Sequence, residues 1–520
     1  MSTSLSARLD RVLQTLPRDY PGPGGAVAVL REGEVLVRHA WGFANAERRI
    51  AFTPRSLFRV CSITKQFTCA AVLDAFPDPS ILDGDVRARL PRLEGPAPGA
   101  LQLCHNQSGL RDYWAVAMLH GSPVEAPFGE IEARRVIGGM RSLQFAPGTR
   151  YSYCNQNFRL LSDILEARTG LSFAERLRRR IFDGIGMEGA ILAADTRALP
   201  DGGEGYEGSP ATGFRAAENR ILWTGDAGMA ASLDDMIAWE RHIDATRDDP
   251  EALYPRLSGP VTFADGAPAT YGFGLIRGME FGRPVTGHAG ALRGWRSQRL
   301  HVPSERVSVV VMFNHLSDAG AAARALLGAV VGETAPAASG DAPPPDWLGA
   351  YVDPETGLLV RIGALPNGQV SLLFGHHPER LTLDGVGGAA GGGVTLRPGA
   401  GGLWMERTGE NLRARLEPLT ETVVPDIAGR YLCPELEAEL TVVDAGGVLH
   451  GGFSGFLGQG RMEALAPIGQ DVWALPCPRA LDHTPPGDWT LKVLRQGTGE
   501  IAAIDVGCWL ARRLTYVRAG

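Results

Sequence analysis

The sequence predicts a multidomain α+β protein, in which helices packed on an antiparallel sheet are followed by two small antiparallel β-barrels. At 520 residues the chain is too long for one ordinary hydrophobic core, so we expect two or three domains. Residues 334–345 are rich in alanine and proline and have the composition of a linker. Helical periodicity lies mainly before this linker, and short β-type runs separated by glycine-rich turns follow it.

Residues 1–333 contain the signals for helices on an antiparallel sheet. Two β-type runs at residues 25–30 and 34–39 flank a glycine-containing turn, which is a hairpin signal. Residues 62–76 have few β-branched side chains and apolar positions at helical spacing, which predicts a helix that begins at Ser62. Two further helices are predicted at residues 158–169 and 172–182, and a late strand pair at residues 284–288 and 306–313.

An internal repeat divides the all-β part in two. Residues 349–355 and 429–435 share glycine, tyrosine, proline and glutamate in register. A β-type run follows each copy, at residues 358–362 and 440–443. We therefore expect two similar closed barrels, over residues 346–420 and 421–520.

Composition and charge exclude several kinds of partner and location. The formal net charge of −7 argues against nucleic acid or an anionic membrane surface as a partner. No run approaches the roughly 18 apolar residues of a membrane helix, and residues 1–10 lack the apolar core of a signal peptide. Seven cysteines, an odd number, suit free thiols in a reducing compartment better than a disulfide framework. We therefore expect a cytoplasmic protein.

The chain has only two lysines, and one of them, Lys65, lies three residues after Ser62. Apart from Lys492, the chain uses arginine for its remaining basic positions. Arginine keeps its proton in proteins, whereas a buried lysine can titrate and act as a base. On a helix that begins at Ser62, Lys65 faces the same side one turn later, and the helix N-terminus favours a developing oxyanion. The pair predicts a serine nucleophile activated by lysine, the alternative being a surface lysine on a helix.

A second candidate pair, Tyr153 and Asn155, lies where a loop marked by Pro147 and Gly148 runs into a helix. Such loops are a usual place for functional side chains. A tyrosine close to a cation can exchange protons and serve a leaving group. The alternative is a helix-capping asparagine beside a packing tyrosine.

The third candidate segment runs from Gly287 to Ala291 and contains His288 and Gly290. A strand of small residues can lie close to an extended substrate and offer it backbone hydrogen bonds. A histidine there is suited to orient a group, although a lone histidine is more often structural. The histidines form no HExxH motif and no cysteine pair has zinc spacing, so the sequence predicts neither a metal site nor a cofactor.

Together the three segments resemble the motifs of the penicillin-recognising serine hydrolases, in particular the class C β-lactamases and the related D-alanyl-D-alanine carboxypeptidases. The motifs stand here as Ser62-x-x-Lys65, Tyr153-x-Asn155 and His288-x-Gly290. Flanking segments similar to that family lie at residues 107–110, 145–148, 180–187, 271–274 and 294–295. The resemblance implies a β-lactamase-like catalytic domain over residues 1–333.

One departure from the family pattern bears on the substrate. The third motif usually reads Lys-Thr-Gly, and its lysine favours the carboxylate of a penicillin or a peptide. His288 removes this fixed positive charge. With two β-domains behind the catalytic one, the whole chain resembles the D-stereospecific aminopeptidases of the family, whose third motif is similar to His288-Ala289-Gly290. These enzymes release an N-terminal D-residue from peptides and amides.

The resemblance also implies a role for each residue. Lys65 takes the proton of Ser62, which attacks the amide carbonyl, and the N–H groups of Ser62 and Ala291 hold the oxyanion. Tyr153 delivers a proton to the leaving amine. Positioning of side chains and substrate is expected from Asn155, His288 and Gly290.

An aminopeptidase must also bind a free ammonium group, which requires an acidic or carbonyl-rich partner. Asp112, Asp226 and Asp234 are available in the first domain, and the sequence does not rank them. In the resembling enzymes a loop from the last β-domain reaches the active site, and the matching stretch is residues 476–487. We expect Asp482 of this loop to bind the ammonium, the alternative being an exposed loop aspartate.

The expected partners are small D-amino-acid peptides or amides, and the sequence is compatible with a homodimer. Three alternatives stay open. The same residues suit a D,D-carboxypeptidase, a β-lactamase or an esterase. The chain could also be a catalytically silent peptide-binding protein. In the third alternative the β-barrels bind a ligand of their own.

Overall fold

The computed structural model describes residues 4–333, 343–419, 424–481 and 485–519. The first part of the chain is built on an eight-stranded antiparallel sheet. Across it the strands follow the order Tyr271–Gly272, Leu275–Glu280, Arg283–Leu292, Trp295–Val302, Val307–Phe313, Gly24–Arg31, Glu34–Asn45 and Ile50–Ala51. The predicted hairpin is present, and its second strand is longer than predicted because it pairs onward with Ile50–Ala51.

Helices cover both faces of this sheet. Strand Gly24–Arg31 is buried almost throughout, and its successive side chains point to opposite faces. Val27 packs in a core with the helices Leu5–Asp19 and Ala319–Val331, whereas Ala26 packs in the larger core on the other face. Because both faces are covered, this strand reads in the sequence as a continuous apolar run.

The larger core holds most of the helical part of this domain. The α-helices are Leu5–Asp19, Thr64–Ala75, Asp83–Ala88, Ala100–Cys104, Tyr113–Leu119, Glu130–Gly139, Gln156–Thr169, Phe173–Leu177, Asp183–Ile185, Leu233–Thr246, Leu253–Ser258 and Ala319–Val331. Short strands form three small sheets beside them, namely Phe58–Arg59 with Met229–Ala231 and Ile191–Leu192, Tyr206–Ser209 with Gly213–Ala216, and Val261–Thr262 with Pro268–Ala269.

The two helices predicted around Gly170 are both present. The first ends at Thr169, where Gly170 adopts the left-handed conformation with a φ of 69°. The second begins after Ser172, whose side chain accepts a hydrogen bond from the backbone of Glu175. It runs as an α-helix to Leu177 and then widens to a π-helical turn over Arg178–Phe182.

The first barrel is a closed antiparallel sheet. Its strands are Gly349–Val352, Leu359–Leu365, Gln369–Phe374, Pro378–Leu383, Ala389–Gly391, Val394–Gly399, Gly402–Arg407, Leu412–Arg415 and Glu417–Pro418. The last two are one extended segment that closes the barrel. Leu412–Arg415 pairs with Gly402–Arg407, and Glu417–Pro418 pairs with the first strand. Closure leaves no exposed edge.

The second barrel closes in a similar way. Its strands are Gly429–Cys433, Ala438–Asp444, Leu449–Gly455, Gly458–Gln459, Glu463–Ala464, Ala466–Gly469, Val472–Leu475, Trp489–Arg495, Ile501–Cys508 and Ala511–Arg518. Glu463–Ala464 pairs with Leu449–Gly455, and the next strand, Ala466–Gly469, pairs with Val472–Leu475. One bridging segment therefore joins both halves of this barrel as well.

The repeated segments occupy equivalent places in the two barrels. Each forms the first strand, and each begins with a glycine of positive φ. The hydroxyl of Tyr351 donates to the carbonyl of Trp347 at 3.0 Å, and that of Tyr431 donates to the carbonyl of Ile427 at 2.9 Å. In both cases the acceptor lies four residues earlier, so the shared tyrosine fixes the entry to each barrel.

The second barrel is joined to the first domain by a common hydrophobic core. The backbone N–H of Asp112 donates to the carbonyl of Leu510 at 2.9 Å, and the buried Arg111 pairs with Glu435. The predicted boundary at residues 420 and 421 and most of the predicted linker lie outside the described residues. Within the described ranges, no helix combines the length and apolar character needed to cross a bilayer.

Candidate active site

Ser62 lies on a tight turn at the start of a buried helix. The 3-10 turn Cys61–Ile63 leads into the α-helix Thr64–Ala75, so the predicted helix start at Ser62 is two residues early. The reason is local: Cys61 has a left-handed φ of 53°, and the Thr64 hydroxyl donates to its carbonyl at 2.7 Å. Backbone in this region is strained for a residue with a side chain, as is common at functional sites.

Lys65 is fully buried, and its ammonium nitrogen lies within hydrogen-bond distance of Ser62, Asn155 and Asp226. Its Nζ donates to Ser62 Oγ at 2.9 Å and to Asn155 Oδ1 at 2.9 Å. The third acceptor, at 2.7 Å, is the backbone carbonyl of Asp226. Because these acceptors fix Nζ beside the serine oxygen, Lys65 is placed to exchange a proton with Ser62.

Tyr153 reaches the same serine oxygen. Its hydroxyl lies 2.8 Å from Ser62 Oγ, and Lys65 Nζ lies 4.9 Å from the centre of its ring. Tyr271 contacts the ring edge-on, and Trp509 lies parallel to it, each with centroids 6.3 Å apart. The structure thus brings Ser62, Lys65 and Tyr153 into one hydrogen-bonded group.

Asn155 is held from behind by a buried carboxylate. Asp112 Oδ2 accepts from the backbone N–H of Asn155 at 2.6 Å and from its Nδ2 at 2.9 Å. Burial raises the pKa of Asp112 to about 6, against the lowering effect of these hydrogen bonds and of the nearby Lys65. With Nδ2 facing the carboxylate, the Oδ1 of Asn155 faces Lys65.

His288 is buried next to the group and hydrogen-bonds Tyr271. Its Nδ1 lies 2.5 Å from the carbonyl of Ala289, which can only accept, so Nδ1 carries the proton. Nε2 then accepts from the Tyr271 hydroxyl at 3.1 Å. Burial, together with the charge of Lys65, lowers the pKa of His288 to about 3, so the ring is neutral at neutral pH. The third motif therefore supplies no positive charge for a substrate carboxylate.

Gly290 allows the third-motif strand to lie against the turn that carries Ser62. A Cβ on Gly290 would lie within 3.0 Å of Ser297 Oγ and of the Val60 carbonyl oxygen. The Ser297 hydroxyl donates to that same carbonyl at 3.1 Å. Ala291 is the next residue of this strand, and its part in an oxyanion hole stays a prediction.

Gly290→Ala is expected to lower both stability and turnover. The Val60 carbonyl belongs to the backbone two residues before Ser62, so an added methyl must push the strand away from this serine. Overpacking of this kind costs about 1–3 kcal/mol, which urea unfolding would detect alongside a fall in kcat. Gly278→Ala is the matched control, because its Cβ would meet nothing nearer than Val285 at 3.8 Å. Equal effects of the two substitutions would contradict this account.

Asp482 lies outside the described residues, so its contact with a substrate ammonium stays a prediction. The residues just before it are anchored beside the third motif. Arg293, which follows that strand, is buried and donates to the backbone carbonyls of Ala480 at 2.6 Å and Leu481 at 3.4 Å. The stem of the predicted loop is therefore fixed to the catalytic domain.

The three first-domain aspartates considered for the ammonium are engaged elsewhere. Asp112 holds Asn155, as described above. Asp226 accepts from the Tyr113 hydroxyl at 2.6 Å, and Asp234 forms a surface ion pair with an arginine. None of the three is arranged to receive a substrate. In the described parts of the chain no group of three or more His, Cys, Asp or Glu side chains is arranged to hold a metal ion.

Sequence reasoning missed an aromatic contribution from both barrels. Trp509, in the turn between the last two strands of the second barrel, lies parallel to Tyr153 at an interplanar angle of 9°. His376 of the first barrel lies parallel to Trp509, with ring centroids 5.4 Å apart. Gly375 permits this contact, since a Cβ there would lie 2.7 Å from the Cβ of Trp509. No motif marks the tryptophan, so the sequence holds no signal for its place beside the serine.

Two family models match the chain. The model described as Beta-lactamase matches residues 9–333, and the model described as D-aminopeptidase, domain B, matches residues 341–517. The chain is 60% identical to a D-aminopeptidase from Gluconobacter oxydans and 47% identical to one from Cereibacter sphaeroides. Both alignments cover 100% of this chain and 100% of the relative.

A solved structure supports the fold. The octameric penicillin-binding protein homologue from Pyrococcus abyssi matches with a TM-score of 0.54 at 17% identity, covering 85% of this chain and 97% of that chain. The predicted fold class, a β-lactamase-like domain followed by antiparallel barrels, is confirmed. The chain therefore belongs to the β-lactamase family through its first domain and, over its whole length, to the family of the D-aminopeptidases.

Proposed function

We propose that this chain is a D-stereospecific aminopeptidase, a serine hydrolase that releases the N-terminal D-residue from small peptides and amides. The observation that carries the proposal is the hydrogen bonding of one serine oxygen, Ser62 Oγ, to both Lys65 Nζ and the Tyr153 hydroxyl. This group suits acyl transfer. Full-length similarity to two proteins named D-aminopeptidase supports the choice of substrate.

The reaction begins when neutral Lys65 takes the proton of Ser62 and Oγ bonds to the amide carbonyl carbon. The oxyanion is held by the N–H groups of Ser62 and Ala291. Collapse breaks the C–N bond, and the leaving amine receives the proton from Lys65 through Tyr153. Water then attacks the acyl-enzyme ester and its proton returns through the same pair. The products are the free D-amino acid and regenerated Ser62.

Recognition of the substrate rests on two features. The neutral His288 offers no charge to a C-terminal carboxylate, which favours an uncharged amide or a peptide bond at this position. We assign the ammonium to Asp482, supported by the anchoring of the preceding residues to Arg293. The expected partners are therefore small amides and peptides with a free N-terminal D-residue.

We also propose that the enzyme works in the cytoplasm. Five cysteines are buried as reduced thiols, namely Cys69, Cys104, Cys154, Cys433 and Cys508. A reducing compartment keeps thiols in this state. A chain recovered from cells in oxidised, disulfide-bonded form would contradict this location.

The test of the function is release of the chromophore from D-alanine p-nitroanilide. The L-isomer, N-acetyl-D-alanine p-nitroanilide and a D-Ala-D-Ala peptide are run beside it. Cleavage of the free D-amide alone supports a D-aminopeptidase. Cleavage of only the blocked amide or of the D-Ala-D-Ala peptide would identify a carboxypeptidase-like enzyme instead.

Asp482→Asn is expected to weaken binding of substrates with a free amine. Losing a charge-assisted hydrogen bond costs about 1.5–3 kcal/mol, so kcat/KM for D-alanine p-nitroanilide should fall by roughly 10- to 100-fold, mainly through KM. Asp488→Asn, at an exposed aspartate beyond the same loop, is the control. An unchanged KM in Asp482→Asn would contradict the proposal that Asp482 binds the substrate ammonium. It would not affect the proposed serine mechanism.

A further inference from the structure

Asp112 is a buried carboxylate to which neither the motifs nor the resemblance assign a role. It accepts a hydrogen bond from Asn155, which in turn accepts one from Lys65. Asp112 is wholly buried at the N-cap of the helix Tyr113–Leu119. Its Oδ1 accepts from the backbone N–H of Trp114 at 2.9 Å, which is an ordinary capping contact. Its Oδ2 is used differently, because it accepts from both the backbone and the side chain of Asn155.

The carboxylate decides which way the amide of Asn155 points. An ionised carboxylate only accepts hydrogen bonds, so the Asn155 group facing it must be the donor Nδ2. The other end of the amide, Oδ1, is then turned to Lys65 Nζ at 2.9 Å. In the flipped orientation Oδ1 would oppose a carboxylate oxygen and Nδ2 would oppose the lysine, so both contacts would be lost.

We propose that Asp112 is a positioning residue of the catalytic centre, which fixes the Asn155 amide so that Oδ1 holds Lys65 Nζ beside Ser62. This inference rests on the proposed serine mechanism. The N–H of Asp112 also donates to the carbonyl of Leu510, next to Trp509. The second barrel is thus hydrogen-bonded to the same residue that orients Asn155.

The test is a double-mutant cycle in the full-length enzyme, made of Asp112→Asn, Asn155→Ala and the double variant. Asparagine keeps the size and the capping ability of residue 112 but removes the carboxylate that selects the Asn155 orientation. We expect kcat of Asp112→Asn to fall by about 10²-fold with KM nearly unchanged, because misplaced catalytic groups cost that much. In the Asn155→Ala background the same substitution should change kcat little, since the side-chain amide that Asp112 orients is already absent and only the backbone contact of residue 155 is left.

Asp318→Asn is the matched control, because Asp318 caps the helix Ala319–Val331 through an ordinary contact with Ala321. Asp318→Asn should keep wild-type kcat, because its carboxylate only caps a helix. The melting temperature of each variant is measured beside its kcat. Asp112→Ser, which also caps well but is too short to reach Asn155, repeats the test should Asp112→Asn not fold. Failure of both variants to fold would assign Asp112 to the fold and overturn the proposal.

The rate of Ser62 acylation by p-nitrophenyl acetate, followed by the burst of p-nitrophenol, separates this proposal from the proposed function. If the enzyme does not cleave D-alanine p-nitroanilide but is acylated by the ester, the proposed substrate is wrong. The double-mutant cycle is then measured with the burst rate in place of kcat. Equal, additive losses in both backgrounds would overturn the positioning role of Asp112. So would wild-type kcat and burst rate in Asp112→Asn.

Discussion

Ser62→Ala is expected to abolish hydrolysis of D-alanine p-nitroanilide, with kcat falling by at least about 10⁴-fold. The hydroxyl is the only group of this side chain, and in the proposed reaction it forms the bond to the substrate. The substitution should leave the fold intact, because the turn is stabilised by the contact between Thr64 and the carbonyl of Cys61 and not by Ser62 itself. Circular dichroism and the melting temperature check the fold, and steady-state kinetics check the loss.

Ser6→Ala, at an exposed serine of the first helix, is the matched control and should keep the wild-type rate. Mass spectrometry adds a second measurement, because a slowly hydrolysed acylating agent should modify the peptide that contains Ser62. A kcat of Ser62→Ala above about one hundredth of the wild-type value would contradict the covalent mechanism. Modification of Cys61 in place of Ser62 would do the same.

The hydrogen-bonded group of Ser62, Lys65 and Tyr153 was predictable because its residues are close in sequence or lie in recognisable segments. Ser62 and Lys65 are one helical turn apart, so their contact follows from local structure alone. Tyr153 and Asn155 were placed beside them by resemblance, and the structure gives the physical reason. The helix Gln156–Thr169 packs against the helix Thr64–Ala75 and carries the loop before it to the serine.

The place of Trp509 beside Tyr153 was not predictable, because it depends on how the second barrel docks. The repeat predicts two similar barrels, since a shared glycine and tyrosine mark the first strand of each. It does not predict how a barrel docks, because docking depends on which turn meets which helix. The sequence therefore does not predict that the ring of Trp509 lies parallel to that of Tyr153.

The contact between Asp112 and Asn155 could not be predicted for a different reason. From sequence Asp112 was one of three aspartates suited to bind an ammonium. Its burial and its hydrogen bonds to Asn155 appear only once the segment at residues 105–112 and the loop before the helix Gln156–Thr169 are folded together. Trp509 of the second barrel and Asp112 thus both contact side chains of the second motif, namely Tyr153 and Asn155.

Lys65→Arg is expected to lower kcat/KM by about 10³-fold, within the range that a general base contributes. Asn155 Oδ1 and the Asp226 carbonyl can still accept from a guanidinium, so residue 65 keeps these hydrogen bonds. Arginine stays protonated, however, so it cannot accept the serine proton. Raising the pH to about 10 should not restore activity, because arginine remains protonated there. The matched control is Lys492→Arg, at the other lysine of the chain on a strand of the second barrel, and it should behave as wild type. A wild-type rate in Lys65→Arg would show that another group takes the serine proton.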